Sequence, residues 1–188
     1  MASRAFVVAV VAFGIALSSC RRDVQAPCCV DVLDLIPSAN IRPVVRPADA
    51  VQVTVATVGG AEQRALSAIV PSRVSVQLRV PERAVLTTAL AVDAVAGHEV
   101  GAGVAFSVGI SDGRTYETLL ERTIVAADGA SWQPVQVDLR RYAGWQWSLF
   151  YRPSAIVWEM VFNSYPSGPA SAPLRALWAA PVISGAGR

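Results

Sequence analysis

The chain lacks lysine altogether and contains a single histidine. All 16 of its basic residues are arginine, and 14 acidic residues nearly balance them, which leaves a net charge of +2. A nucleic-acid-binding domain would show clustered basic residues and a clear positive excess, whereas these arginines are scattered along the chain. Composition therefore excludes nucleic acid as a partner.

Residues that carry out catalysis or hold metals are equally scarce. The one histidine, His98, lies in a turn-like stretch, where a solvated side chain is its expected state, and zinc is disfavoured because no second histidine exists. Neither a Gly-x-Ser-x-Gly elbow nor a glycine-rich phosphate loop is present. A glycosidase uses two carboxylates, and Asp138 and Glu159 are the candidates for these. The ordinary role of such residues is to form ion pairs with outward arginines such as Arg79 or Arg140. We expect no enzyme, no cofactor and no metal site.

The first nineteen residues have the layout of a secretory signal peptide. Arg4 supplies a basic start, and residues 5–17 form an apolar stretch that is too short to span a bilayer. The sequence Leu17-Ser18-Ser19-Cys20 then resembles a bacterial lipobox. This resemblance implies a diacylglyceryl group on the Cys20 thiol, cleavage before Cys20, and a membrane partner through the lipid. A conventional signal peptide with a coincidental cysteine is the alternative.

The resemblance also implies an address in the bacterial cell envelope. Because Arg21, rather than aspartate, follows the lipid site, a cell with two membranes would sort the protein to the outer one. Residues 20–36 are expected to form a lipidated tether, in which residues 30–36 favour one or two helical turns ended by Pro37. The adjacent Cys28 and Cys29 can form only a strained disulfide with each other, so a tolerated pair or a bond to another molecule remains open.

Beyond residue 37 the apolar period changes to two, which is typical of strands with one face in a core. Alternating runs occupy residues 51–55, 74–80, 104–111, 135–139, 147–151 and 157–162. Turn-forming pairs separate such runs, and Asp112-Gly113 is the best hairpin candidate because glycine tolerates positive φ. Further breaks are expected at Pro71-Ser72, Pro81-Glu82, Ala96-Gly97, Asp128-Gly129, Ala143-Gly144 and residues 165–173. Seven to nine strands at this spacing predict an all-β chain, an antiparallel β-sandwich over residues 37–188.

Two segments carry a family resemblance. The stretch from Trp132 to Leu139, with Tyr142-Ala143-Gly144 and the aromatic residues 145–150, is similar to a segment of galactose-binding-like jelly rolls. Residues 176–183 (ALWAAPVI) resemble their closing strand, except that Ala179 and Ala180 stand where relatives often have Gly-Asp. The resemblance implies jelly-roll topology and a domain of the carbohydrate-binding-module kind.

Five tryptophans are the remaining evidence for function. Alternation favours core positions for Trp147, Trp158 and Trp178. Trp132 and Trp145 lie beside turns, where the resemblance implies stacking on sugar rings, and where the ordinary role of an aromatic residue is to cover a core edge. With Gln77 and Arg79, they are the predicted ligand-binding residues, and Gln136 and Asp138 are further outward polar candidates. The two hypotheses are a non-catalytic module that binds carbohydrate, and a structural or interaction subunit that contacts an envelope protein.

Overall fold

The computed structural model describes residues 29–42, 50–94, 101–125, 131–143, 145–148, 151–168 and 174–186, with the backbone alone at 145–148 and 151–155. The expected signal peptide, Cys20, Cys28, His98, and the turns at Ala96-Gly97 and Asp128-Gly129 lie outside these residues. The strands are β1 (Cys29–Asp31), β2 (Asn40–Arg42), β3 (Val51–Val58), β4 (Ala61–Ile69), β5 (Ser72–Leu78), β6 (Glu82–Ala94), β7 (Gly103–Ser111), β8 (Tyr116–Val125), β9 (Gln133–Asp138), β10 (Trp145–Ser148), β11 (Tyr151–Ala155), β12 (Trp158–Ser167) and β13 (Leu174–Ala186). Two short 3-10 helices cover Val32–Ser38 and Arg140–Tyr142.

Two antiparallel sheets form the predicted sandwich. One sheet has the order β3-β4-β13-β6-β9, with β1 also paired to β13, and the other has the order β2-β5-β12-β7-β8. Strands β10 and β11 form a separate two-stranded ribbon. The antiparallel β-sandwich expected from the alternating runs is therefore confirmed.

The core lies between the two sheets and is centred on Trp178 of β13. Its indole, 1% exposed, packs edge-on against Phe106 of β7 and Phe162 of β12, with ring centroids 4.9 and 5.2 Å away. Alternation along β5, β7 and β12 places apolar side chains on this inner side and small or polar ones on the outer side. The core position predicted for Trp178 is confirmed; Trp158 is only half-buried at the core margin.

Residues 29–36 are part of the sandwich rather than of a tether. Strand β1 begins at Cys29 and pairs with β13, opposite Val182 to Ser184. Val32, Leu33 and Ile36 of the following 3-10 helix are buried, and this helix continues through Pro37 to Ser38. The expected tether to residue 36 is therefore too long, because an apolar 3-10 turn gains more by packing on the core than by staying in solvent.

Arg64 of β4 holds this helix against the first sheet. Its guanidinium donates to Asp31 and Asp34, at 2.9 Å each, and the pull of these carboxylates raises the pKa of Arg64. Along one edge of β13, residues 175–179 pair with β4 and residues 182–184 pair with β1. The β3–β4 hairpin tip thus leaves the sheet where β1 enters it.

Three local expectations can be compared with the structure. The Asp112-Gly113 hairpin is confirmed: it joins β7 to β8, Gly113 has φ +88°, and the Asp112 carboxylate accepts two backbone N–H groups beyond it. The single strand expected at 147–151 is wrong, since β10 and β11 pair with each other there. The break expected from residue 165 begins later, because β12 runs to Ser167.

Within the ranges described above, no helix is both long and apolar enough to cross a membrane.

Candidate functional site

Among the residues predicted to bind a ligand, the three whose side chains the structure describes, Gln77, Arg79 and Trp132, do not meet at one place. Gln77 lies on the outer face of β5, and Arg79 follows the end of that strand; both are exposed. Trp132 precedes β9, which belongs to the other sheet. Trp145 begins β10, where the structure describes only the backbone.

Trp132 is tied to the β3–β4 hairpin. Its indole N–H donates to the backbone carbonyl oxygen of Ala61 at 2.9 Å, and the side chain is half-buried. Its one polar group is therefore satisfied by the protein, as is usual for a partly buried indole. This bond links the start of β9 to the hairpin tip and gives Trp132 a structural role.

The outer side of the five-stranded sheet carries a continuous set of polar and aromatic side chains. Cross-strand register places Gln77, Glu159, Ser111 and Tyr116 in one row, and Arg73, Asn163 and Ser107 in another. We call this surface the polar face. Its members are Arg73, Ser75, Gln77, Ser107, Gly109, Ser111, Tyr116, Glu159, Val161, Asn163 and Tyr165.

Tyr116 lies across the middle of the polar face. A Cβ atom placed on Gly109 would come within 2.2 Å of the Tyr116 hydroxyl and 2.3 Å of its Cζ, so the phenol occupies the space that this glycine leaves open. From there the hydroxyl reaches Asn163 of β12, whose Nδ2 donates to it at 3.1 Å. The Arg73 guanidinium of β5 approaches the same ring, 5.4 Å from its centroid. Tyr116 remains 43% exposed and so presents an aromatic surface to solvent.

Asn163 is the one buried residue of the polar face with an unmet hydrogen-bonding need. Its side chain is 3% exposed, and its Oδ1 has no hydrogen-bond partner among the described residues. A buried acceptor without a donor costs about 1–3 kcal/mol, so such atoms commonly mark a functional position. The polar face therefore holds a buried acceptor without a donor.

A signal for this face appears only when the alternating pattern is combined with the burial that the structure shows. Ser107, Gly109 and Ser111 alternate with core residues and are therefore expected to face water, yet all three are buried. Outward residues that are both small and buried indicate that something lies on top of them. Which residue does so depends on strand order, and the alternating pattern does not specify that order.

A concave region lies away from the polar face, where β8, β9 and the second 3-10 helix meet. It is a groove of about 540 Å³ whose lining residues are Thr118, Leu119, Gln136, Val137, Asp138, Arg140 and Arg141. Its charges pair with one another. The Arg140 Nε donates to both Asp138 oxygens at 2.9 Å, so the pairing expected for Asp138 is confirmed, and this bond holds the pKa of Asp138 down at about 2.

The other end of this groove is held in the same way. The Tyr142 hydroxyl donates to Glu117 at 2.6 Å, and Arg141 donates to the same carboxylate. These bonds, led by that of Tyr142, lower the pKa of Glu117, and burial raises the pKa of Tyr142. Each of these charges therefore already has a partner. The bonds to Glu117 also connect β8, at the edge of one sheet, to the 3-10 helix that follows β9 of the other sheet.

Comparison with known proteins gives a likeness of fold. No protein-family model matches the chain, and no curated protein matches it either. The chain resembles the solved structure of the CBM51-2 and INT domains of Clostridium perfringens ZmpB, with TM-score 0.50 and 15% identity over 84% of this chain and 31% of that one. It also resembles the solved structure of CBM51-2 in complex with GlcNAc and the INT domains of the same protein. There the TM-score is 0.51 and the identity 15%, over 85% of this chain and 32% of that one.

A third solved structure extends the comparison to a smaller protein. TmCBM61 in complex with β-1,4-galactotriose matches with TM-score 0.45 and 11% identity, over 80% of this chain and 90% of that one. The chain spans about a third of the length of the two ZmpB structures. At these identities the likeness concerns the fold, and the chain has a β-sandwich like that of carbohydrate-binding modules.

Proposed function

We propose that this protein is a non-catalytic carbohydrate-binding domain that takes its glycan on the polar face. The observation that carries the proposal is the placement of Tyr116, an exposed phenol lying over Gly109. Sugar rings have apolar faces that stack on aromatic rings, while their hydroxyls need donors and acceptors around the stack. In the C. perfringens structure solved with GlcNAc, a related sandwich is present.

The groups around Tyr116 match the needs of a sugar. Gln77 and Glu159 lie in the same cross-strand row as Tyr116 and supply an amide and a carboxylate. Arg73 supplies donors, and Asn163 supplies the buried acceptor. Tyr165, a second exposed aromatic residue, is two positions beyond Asn163 on the outer side of β12. Apolar and polar contacts are thus available on one surface.

Replacing Tyr116 with alanine tests this assignment. We expect the full chain in detergent micelles to bind at least one oligosaccharide of a panel that includes GlcNAc oligomers and β-1,4-galactotriose. Tyr116→Ala should weaken that binding about tenfold or more, because a central aromatic contact commonly contributes over 1 kcal/mol. Isothermal titration calorimetry measures both affinities.

Trp132→Ala is the matched control, since it removes the aromatic ring of the alternative site. Binding that is lost with Trp132→Ala and kept with Tyr116→Ala would contradict the assignment to the polar face. A wild-type chain that binds no glycan of the panel would contradict the proposed function itself.

We further propose that Cys20 carries a lipid and anchors the protein in the cell envelope. The proposal rests on the lipobox-like residues 17–20 behind an apolar leader. Each buried methylene contributes about 0.8 kcal/mol, so two or three acyl chains would hold the protein durably, whereas one chain would not.

Cys20→Ala is therefore expected to move the protein from the membrane fraction to the aqueous phase. Detergent phase partition and intact mass of the purified protein measure the change, and Cys29→Ala serves as the control. A wild-type protein whose mass shows no acyl chains would disprove the anchor.

A further inference from the structure

Two arginines lie directly opposite each other at one end of the polar face. Arg42 of β2 pairs in register with Arg73 of β5. In the neighbouring pair, Ile41 and Val74, the Val74 side chain is buried in the core. Alternation therefore places Arg42 and Arg73 on the outer side together. Arg42 is exposed and Arg73 is half-buried.

This arrangement works against folding unless something else balances it. Like charges directly opposite on neighbouring strands are destabilising. Among the described residues, the arginines that form ion pairs are Arg64, Arg140 and Arg141, and no carboxylate lies within ion-pair distance of Arg42 or Arg73. The pair thus presents two positive charges without a described counter-charge.

The acidic groups on the same face are remote from the pair. Asn163 is the cross-strand neighbour of Arg73, and Glu159 lies four residues away from Asn163 along β12. At the rise of a strand, this separation along β12 is about 13 Å. Glu121 of β8 is three strands across from Arg73, about 14 Å at ordinary strand spacing. Arg79, beyond the end of β5, lies towards the Glu159 end. The face is therefore positive at its Arg42 end.

The unpaired acceptor of Asn163 lies beside the same pair. Arg73 is the direct cross-strand neighbour of Asn163, and the Arg73 guanidinium and the Tyr116 phenol approach each other above β12. The Oδ1 is buried, so a hydroxyl donor can reach it only when the side chains above it shift. A positive charge pair and an orphaned acceptor thus adjoin one exposed aromatic ring.

We propose that the glycan taken by the polar face is acidic, with a sugar carboxylate bound between Arg42 and Arg73 and a hydroxyl of the same sugar donating to Asn163. The inference rests on the proposed function and names its ligand class. Arginine forks match carboxylates in two-point geometry, and charge-assisted bonds of this kind are about twice as strong as neutral ones. Sugars with carboxylates supply both the anion and the hydroxyls.

The test compares two ligands that differ at the carboxyl group, a charged acid and its uncharged methyl ester. The full chain in detergent is titrated with tetragalacturonate and with its methyl ester, at about 50 mM and about 300 mM NaCl. We expect the acid to bind about tenfold more tightly than the ester at low salt, with the difference shrinking at high salt because exposed charges are screened. Arg42→Gln should remove most of this difference, because it lowers the affinity for the acid more than that for the ester.

Arg83→Gln is the control, because it makes the same change of net charge on the other sheet. Equal wild-type affinities for acid and ester, or a difference that Arg42→Gln leaves intact, would overturn the inference. If Tyr116→Ala then still weakens the binding of both ligands, the proposed function stands without the inference about acidic glycans. If the wild-type chain binds neither ligand nor any neutral glycan, both fail.

Discussion

The Trp178→Ala variant is expected to lose about 3–5 kcal/mol of folding free energy, a large share of the stability of an ordinary domain. Trp178 is the largest fully buried side chain among the described residues, and it contacts one aromatic ring from each of two strands in the facing sheet. Its removal leaves a cavity at the centre of the sandwich, which the paired strands on both sides prevent from collapsing. Urea denaturation followed by circular dichroism measures the loss.

Trp158 provides the comparison within the same fold. It is half-buried at the core margin, where its indole N–H donates to the Tyr142 carbonyl oxygen at 2.9 Å and its ring packs edge-on against Tyr142. Trp158→Ala should therefore cost clearly less than Trp178→Ala. Equal losses from the two variants would mean that the core is not centred on Trp178. Trp178→Phe, which keeps an aromatic ring, is expected to recover part of the stability.

The second large effect is expected from Gly109→Ala, which should weaken glycan binding about tenfold or more while the protein stays folded. The added Cβ would collide with the hydroxyl, Cζ and Cε2 of Tyr116, at 2.2 to 2.5 Å. Since the obstacle is the free end of an exposed side chain, the ring can swing away without moving the backbone. The expected cost is therefore the loss of the bond to Asn163 and of the stacking surface.

Gly103→Ala is the matched control for Gly109→Ala, on the same strand. There the added Cβ would lie 2.6 Å from the Ile124 carbonyl oxygen, which is backbone and cannot turn aside. We expect Gly103→Ala to destabilise the fold by about 1–3 kcal/mol, as overpacking does, and to bind glycan normally when folded. Calorimetric titration and thermal unfolding separate the two. Normal binding by Gly109→Ala would contradict the role given to Tyr116.

Alternation predicts those strands whose inner residues are large and branched. β5, β7 and β12 alternate valine, isoleucine, phenylalanine or methionine with small or polar residues, so both the period and the inner face are clear. β4 and β6 show no such period in the sequence, because alanines such as Ala65, Ala68, Ala89 and Ala91 dilute their pattern. Alanine has low strand propensity, so pairing with β13 rather than local preference forms these strands.

The site is harder to predict than the fold, since it depends on residues far apart in the chain. Gln77, predicted from its outward position, does lie on the polar face. Tyr116, Arg73 and Asn163 belong to three different strands, and only the order β5-β12-β7-β8 brings them together. The prediction for Trp132 rests on its position beside a turn, but whether an aromatic residue near a turn meets a ligand or a backbone carbonyl depends on tertiary contacts.

The entry of the chain at β1 sets a limit on distance from the membrane. Cys29, at the start of β1, lies opposite Ser184 and nine positions after Cys20. Nine residues span at most about 30 Å even when fully extended. With Cys20 lipidated as proposed, the β1 edge of the domain would be confined to a thin layer next to the bilayer. Long polymers elsewhere in the envelope would then have to pass through that layer to be bound.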